Sequence, residues 1–158
     1  MSTLPGFLPF GEDRGQGEAY RAVCFDWVKA QPVAWSWFAT LTCARAPTTE
    51  EALDLAFIRW ARKVERLAFA DLPARQRKRR ILPWVRAIEL SAAEEPHVHA
   101  LIGCCDHLTK SKLERLWRLG NALVTPIAGL DSALGYTLKA LPRGANINFS
   151  RSVFPLKG

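Results

Sequence analysis

The sequence lacks the features that mark several large classes of protein. It has no apolar run long enough to cross a bilayer, and its first ten residues carry no charged start followed by an apolar stretch of the signal-peptide kind. Its four cysteines show no CxxC spacing, so neither a disulfide framework nor a zinc ribbon is indicated. We therefore expect a cytoplasmic protein without a membrane partner, in which the cysteines are reduced core thiols.

The sequence also lacks an ATP-binding loop and has fewer acidic than basic residues. No GxxxxGK(S/T) loop for ATP is present, so any unwinding of nucleic acid would need a separate protein, supercoiling or a further domain outside this sequence. Acidic residues are outnumbered, with 15 Asp and Glu against 22 Lys and Arg, which gives a net charge of +7. The isoelectric point near 9.6 favours a polyanionic partner.

The length of 158 residues suits one domain. Aromatic and β-branched runs predict strands at Trp35–Ala44, Trp84–Leu90, His97–Gly103, Ala122–Ile127 and, with a weaker pattern, Ile147–Ser150. Helical periodicity predicts helices at Glu18–Ala30, Thr48–Phe69, Thr109–Leu119 and Ser132–Leu141. This order predicts an α+β fold of the ferredoxin-like or RNA-recognition type, with a largely antiparallel sheet of about five strands and helices packed mainly on one face.

Local signals indicate where some of these elements begin and end. Thr48 and Glu51 form a capping box for the long helix, and Asp131 is a candidate cap for the last helix. The residues SAAEEP that follow Leu90 predict a hairpin loop between the second and third strands.

The histidines cluster in the third predicted strand, where residues 97–99 read HVH. Because strand side chains alternate between faces, His97 and His99 point to the same side of the sheet. If the hairpin turns about Ala93, Glu89 lies directly across from His97 on that side. Two imidazoles and a carboxylate suit a divalent ion such as magnesium or manganese, and zinc, cobalt or nickel can also occupy such a site. The plain alternative is a half-buried strand whose histidines hydrogen-bond nearby groups.

A second pair of residues lies on the last predicted helix. Tyr136 precedes Lys139 by three positions, so both lie on one helical face. A phenol is a weak nucleophile at neutral pH, and a neighbouring ammonium favours its ionised form or offsets charge on a reacting phosphate. The alternative is a helix residue at the edge of the core beside a solvated charge. We interpret the other tyrosine, Tyr20, as structural.

Residues 73–80 read PARQRKRR and predict an exposed basic loop. Its charges can contact phosphates, with a steep salt dependence of binding. The alternative is a solvent-exposed connection between elements. The residues are Arg75, Arg77, Lys78, Arg79 and Arg80.

Three of these segments occur in the order of the motifs of a known family. They are Phe38–Thr42 (FATLT), Glu89 followed by Pro96–Leu101 (PHVHAL), and Tyr136–Lys139 (YTLK). The chain resembles the histidine-hydrophobic-histidine (HUH) endonucleases, in particular the rolling-circle replication initiators of plasmids and single-stranded DNA phages. The likeness covers residues 35–141, with residues 1–33 as an N-terminal helical extension and 142–158 as a C-terminal tail of one domain.

The resemblance implies a metal-dependent nicking and joining reaction on single-stranded DNA at a replication origin. In this reading His97, His99 and Glu89 hold magnesium or manganese against the scissile phosphate. Tyr136 attacks that phosphate, becomes joined to the 5′ end and releases a 3′ hydroxyl that primes synthesis. Lys139 assists at the phosphate, and a host helicase and polymerase are the expected partners.

Departures from related subfamilies narrow this reading to a single-tyrosine replication initiator. Positions one turn from Tyr136 hold Ser132 and Ala140, so no second tyrosine accompanies it. Ala140 also stands where transposases of the superfamily often have a glutamine ligand, and the third histidine that relaxases add is matched only by His107, beyond the expected strand end. A transposase or relaxase remains the first alternative, and a non-catalytic nucleic-acid-binding domain of similar topology remains the second.

Overall fold

The structure is a computed structural model that describes residues 14–44, 49–91, 94–139, 141 and 145–153. The helices are α1 (Arg14–Ala30), α2 (Glu50–Ala68), α3 (Ala74–Arg77), α4 (Lys110–Arg115) and α5 (Leu130–Leu138), with a short 3-10 helix at Arg151–Val153. The strands are β1 (Trp35–Thr42), β2 (Trp84–Ser91), β3 (Glu94–Gly103), β4 (Ala122–Pro126) and β5 (Asn146–Phe149).

The five strands form a single sheet in the order β4-β1-β3-β2-β5. Every neighbouring pair is antiparallel. The predicted α+β class with a five-stranded antiparallel sheet is therefore confirmed. β3 lies at the centre and pairs with β1 on one side and β2 on the other, so its backbone polar groups are satisfied on both sides.

Alternation along β3 divides its side chains between two cores. Val98, Ala100 and Ile102 are buried in the larger core, which α2 covers. The apolar positions of α2 recur at helical spacing, and Leu53, Phe57 and Trp60 are among its fully buried side chains. This layer anchors the sheet and leaves the alternate residues of β3 facing the other way.

The opposite face carries a second, smaller core beneath α1 and α5. Cys24 and Val28 of α1 pack there with Leu134 and Leu138 of α5 and with Leu101 of β3. Leu134 and Leu138 are four positions apart, so they form one apolar stripe on α5. The sequence predicted helices mainly on one face of the sheet. In the structure α1 and α5 also cover part of the other face.

Several predicted boundaries differ from the structure. The N-cap of α2 is Thr49, whose hydroxyl accepts a hydrogen bond from the Ala52 backbone at 3.2 Å, whereas Thr48 lies outside the described residues. Asp131 lies in the first turn of α5 and Gly129 occupies the cap position, so the predicted cap is wrong. Backbone pairing extends β2 to Ser91 and begins β3 at Glu94, which leaves a shorter loop than the polar residues suggested.

The cysteine prediction is confirmed for three residues and wrong for one. Cys24, Cys43 and Cys105 are buried free thiols, but Cys104 is exposed. Cys104 directly follows β3 and adopts a left-handed conformation with φ of 59°, which directs the chain out of the strand. Among the described residues, no helix combines the length and the apolarity needed to cross a membrane.

Candidate metal centre and nucleophile

Strand pairing brings together the three predicted metal ligands. Glu89 of β2 lies directly across from His97 of β3, as the sequence predicted. His99 lies two residues farther along β3, paired with Ala87 on one side and Thr40 of β1 on the other. Because paired and alternate residues share a face, all three candidate ligands project from the side of the sheet that α5 partly covers.

The side chains of these residues converge within a small volume. The Nε2 atom of His97 lies 2.8 Å from Oε2 of Glu89, and Nε2 of His99 lies 3.9 Å from Oε1. The three ligand atoms all lie within 4.8 Å of one another. His97 is 8% exposed and His99 is 2% exposed, so water is largely excluded from the group.

Two atoms of the group are buried without a hydrogen-bond partner among the described residues, as expected of atoms that could bind a cation. Among the described residues, neither Oε1 of Glu89 nor Nε2 of His99 has a hydrogen-bond partner. Leaving such groups unsatisfied typically costs about 1–3 kcal/mol each. Ligands at about 2.0–2.2 Å from one ion can lie up to about 4 Å apart, so the 3.9 Å gap fits a shared divalent cation. The group could therefore bind a metal ion.

The electrostatic environment favours the neutral form of His99. Burial is the largest cause that lowers the pKa of its imidazole to about 3, and electrostatic interactions with His97 and Lys139 act in the same direction. A neutral imidazole offers the nitrogen lone pair that a metal requires.

Helix α5 places Tyr136 against this group. The ring centroid of Tyr136 lies 5.0 Å from that of His99, with an angle of 77° between the planes. It also makes an edge contact with Phe38 of β1 at 5.7 Å. Leu134 and Leu138 of α5 are buried, whereas Tyr136 is 49% exposed. The ring is therefore accessible from solvent.

Lys139 contacts the tyrosine as the helical spacing predicted. Its ammonium nitrogen lies 3.9 Å from the centroid of the Tyr136 ring, over the ring face. This cation–π contact holds the charge beside the phenol and near His99. Lys139 is the C-cap of α5, where a positive charge also interacts favourably with the helix dipole.

The basic segment is placed away from this cluster. Its residues are exposed, and part of the predicted loop forms α3. The segment enters β2 at Trp84, whereas Glu89 lies five residues farther along, a separation of about 17 Å along the strand. The structure therefore does not bring Arg75, Arg77, Lys78, Arg79 and Arg80 together with the candidate metal ligands.

Two residues around His99 were not singled out from the sequence. The hydroxyl of Thr40 lies 3.2 Å from Nδ1 of His99, and the ring of Phe38 stacks near parallel to the imidazole with centroids 5.8 Å apart. Both belong to the FATLT segment, but nothing in the sequence shows the register of β1 on β3. His107 lies beyond the end of β3, as expected, and bonds to the backbone carbonyl of Ala68 at 3.0 Å.

Comparisons with protein-family models, curated proteins and solved structures give no match to this chain. The resemblance to HUH endonucleases therefore stays a prediction from the sequence motifs.

Proposed function

We propose that this protein is a metal-dependent endonuclease that nicks single-stranded DNA by attack of Tyr136 on a phosphate. The observation that carries the proposal is the juxtaposition of a half-exposed tyrosine ring with a buried Glu-His-His group, 5.0 Å from the ring of His99. The net charge of +7 supports a polyanionic substrate. The motif order adds the narrower proposal of a rolling-circle replication initiator that acts with a host helicase and polymerase.

In the proposed site, Glu89, His97 and His99 would hold magnesium or manganese. When bound, the ion supplies Lewis-acid chemistry that neutralises charge on a non-bridging phosphate oxygen. The chain itself presents two imidazole nitrogens and one carboxylate from adjacent strands of a paired sheet. That rigid support fits the need for ligands held within a fraction of an ångström.

The reaction exchanges one phosphodiester for another. The phenolic oxygen of Tyr136 forms a bond to phosphorus while the bond from phosphorus to the 3′ oxygen breaks. The proton lost by the phenol is balanced by the proton gained by the leaving 3′ hydroxyl. Because a phosphotyrosine diester keeps the bond energy, attack by a later 3′ hydroxyl reverses the step and rejoins strands without ATP.

The contact between Lys139 and Tyr136 supports a role for the lysine in this step. A positive charge over the ring stabilises a phenol that is losing its proton, and the same charge attracts a phosphate approaching the hydroxyl. Burial of His97 and His99 limits the access of bulk water to the candidate ligands. Solvent exposure of Tyr136 leaves an open side for the DNA.

A covalent-capture experiment tests the proposal. The protein is incubated with a random single-stranded oligonucleotide library and manganese or magnesium, and denaturation-resistant adducts are isolated and sequenced. We expect adducts that need the metal, carry the DNA through its 5′ phosphate and share a sequence. Tyr136→Phe should abolish them, and Tyr20→Phe is the matched control because the chain has two tyrosines.

The possible failures identify which part is wrong. Adducts formed equally well by Tyr136→Phe would assign the nucleophile elsewhere. Metal-independent binding of DNA without any adduct would instead favour the non-catalytic nucleic-acid-binding domain. Adducts selective for the ends of a mobile element, rather than for an origin-like hairpin, would favour a transposase or a relaxase.

A further inference from the structure

Thr40 forms a hydrogen bond with His99, the most buried of the three candidate ligands. β1 places Thr40 directly across from His99 in the antiparallel pairing with β3. The hydroxyl oxygen of Thr40 lies 3.2 Å from Nδ1 of His99. The other ring nitrogen, Nε2, is buried and has no hydrogen-bond partner among the described residues. The two nitrogens of this imidazole therefore face different surroundings.

The position of Glu89 indicates which nitrogen carries the proton. If Nε2 carried it, a carboxylate oxygen beside it would form a charge-assisted hydrogen bond of about 2.7–2.9 Å. The actual separation between Nε2 and Oε1 of Glu89 is 3.9 Å, although Glu89 does form such a bond of 2.8 Å to His97. Two facing lone pairs account for the longer separation. A proton on Nδ1 would then be donated to the hydroxyl of Thr40, which lies 3.2 Å from that nitrogen.

We propose that Thr40 is a positioning residue that holds His99 in the Nδ1-protonated tautomer and presents Nε2 to a divalent cation. This inference rests on the metal site of the proposed function and adds a residue to which nothing above assigns a role. Phe38 supports the same geometry, because its ring stacks at 13° to the imidazole and restricts rotation of His99. Partners of this kind orient metal-bound histidines, and losing one typically weakens metal affinity about 10–100-fold.

The test compares three substitutions at half-buried threonines of the same sheet face. Thr40→Val removes the hydroxyl at nearly constant volume, and Thr40→Ser keeps the hydroxyl while removing the methyl group. Thr125→Val is the matched control, because Thr125 lies on β4 across from Phe38, one strand farther from the candidate ligands than Thr40. Thermal unfolding of each variant confirms that it folds, which the β propensity of valine favours.

Two measurements are made on each protein. Calorimetric titration with manganese should show an affinity about 10–100-fold weaker for Thr40→Val, a few-fold change for Thr40→Ser and no change for Thr125→Val. Nitrogen-15 NMR of labelled histidine in the metal-free protein should show His99 protonated at Nδ1 in the unsubstituted protein and in Thr40→Ser. Thr40→Val should show a mixture of tautomers.

The outcomes separate this inference from the proposed function. Unchanged manganese affinity and an unchanged tautomer in Thr40→Val would overturn the role of Thr40. A proton on Nε2 in the unsubstituted protein would overturn it as well. If the unsubstituted protein bound no divalent cation, the metal site would fail, and with it the presentation of Nε2 to a cation. The NMR result would then still decide whether Thr40 selects the tautomer.

Discussion

The ring of Tyr136 stands nearly perpendicular to the imidazole of His99, with 5.0 Å between the centroids. One residue belongs to α5 and the other to the central strand β3. This contact links the candidate nucleophile to the candidate metal ligands through direct packing of a helix on the sheet. A change at either residue should therefore be measurable at the other.

The tyrosine should report on metal binding before any DNA is present. The chain has two tyrosines, so 3-fluorotyrosine labelling gives two fluorine signals, and Tyr136→Phe assigns them. We expect magnesium to shift the Tyr136 signal, because ordering of His99 changes the ring-current field at 5.0 Å. Tyr20 lies on α1, where it packs beside Cys24, and should shift little. If the protein binds magnesium but the Tyr136 signal does not shift, Tyr136 and the candidate metal ligands do not belong to one site.

Replacing Glu89 should weaken metal binding without unfolding the protein. Glu89→Gln keeps the shape but removes the charge and a strong oxygen ligand, so we expect at least a tenfold loss of manganese affinity, about 1.4 kcal/mol. Glu51→Gln, at an exposed position of α2, is the control. The measurement is calorimetric titration. Equal affinity in Glu89→Gln would mean that the third ligand is another residue.

Lys139→Met should slow cleavage more than it weakens DNA binding. The ammonium lies 3.9 Å from the centroid of the Tyr136 ring, so its charge acts where negative charge develops, and removal of one such group commonly costs about 10²–10³-fold in rate. Lys139→Arg should recover part of the rate. Single-turnover kinetics at saturating DNA measure the effect, with exposed Lys63→Met of α2 as the control. Equal rates for Lys139→Met and Lys63→Met would exclude Lys139 from the reaction.

The basic segment should affect DNA binding but not the chemical step. Arg77 and Arg79 are exposed and lie beyond the end of β2 remote from Glu89. Replacing both by Gln should reduce the salt dependence of binding to single-stranded DNA, by about 0.7 in the logarithmic slope for each phosphate that the protein no longer neutralises. Cleavage of fully bound DNA should stay the same. Replacing exposed Arg62 and Arg66 of α2 by Gln is the control. Identical salt slopes in both double variants would mean that the basic segment does not contact the DNA.

His99 should make the metal-free protein less stable in acid. Its pKa is lowered to about 3 in the folded state, against about 6.5 in an unfolded chain. Below pH 6.5 the unfolded chain therefore binds a proton that the folded protein does not, and the free energy of unfolding falls as the pH drops towards 3. Chemical denaturation at several pH values should show a smaller decrease for His99→Gln. An NMR titration of His99 with a midpoint near 6.5 would contradict this.

The sequence predicted much of the fold. It also predicted three features of the candidate site: the shared face of the two histidines, the pairing of Glu89 with His97, and the contact of Tyr136 with Lys139. Alternation along β3 is a local property, so it placed His97 and His99 on one face without knowledge of the rest of the chain. The short connection to β2 then made Glu89 the partner of His97, and the structure has that pairing. The helical spacing of Tyr136 and Lys139 was readable for the same reason, because neighbours along a helix do not depend on tertiary packing.

Packing between distant elements decided the remainder. Only the docking of α5 on the sheet brings Tyr136 to the face that carries His99, and only the register of β1 on β3 makes Thr40 the partner of Nδ1. Sequence periodicity specifies which side of an element is apolar, but not which other element covers it. Those contacts, and the burial that lowers the pKa of His99, belong to the assembled fold.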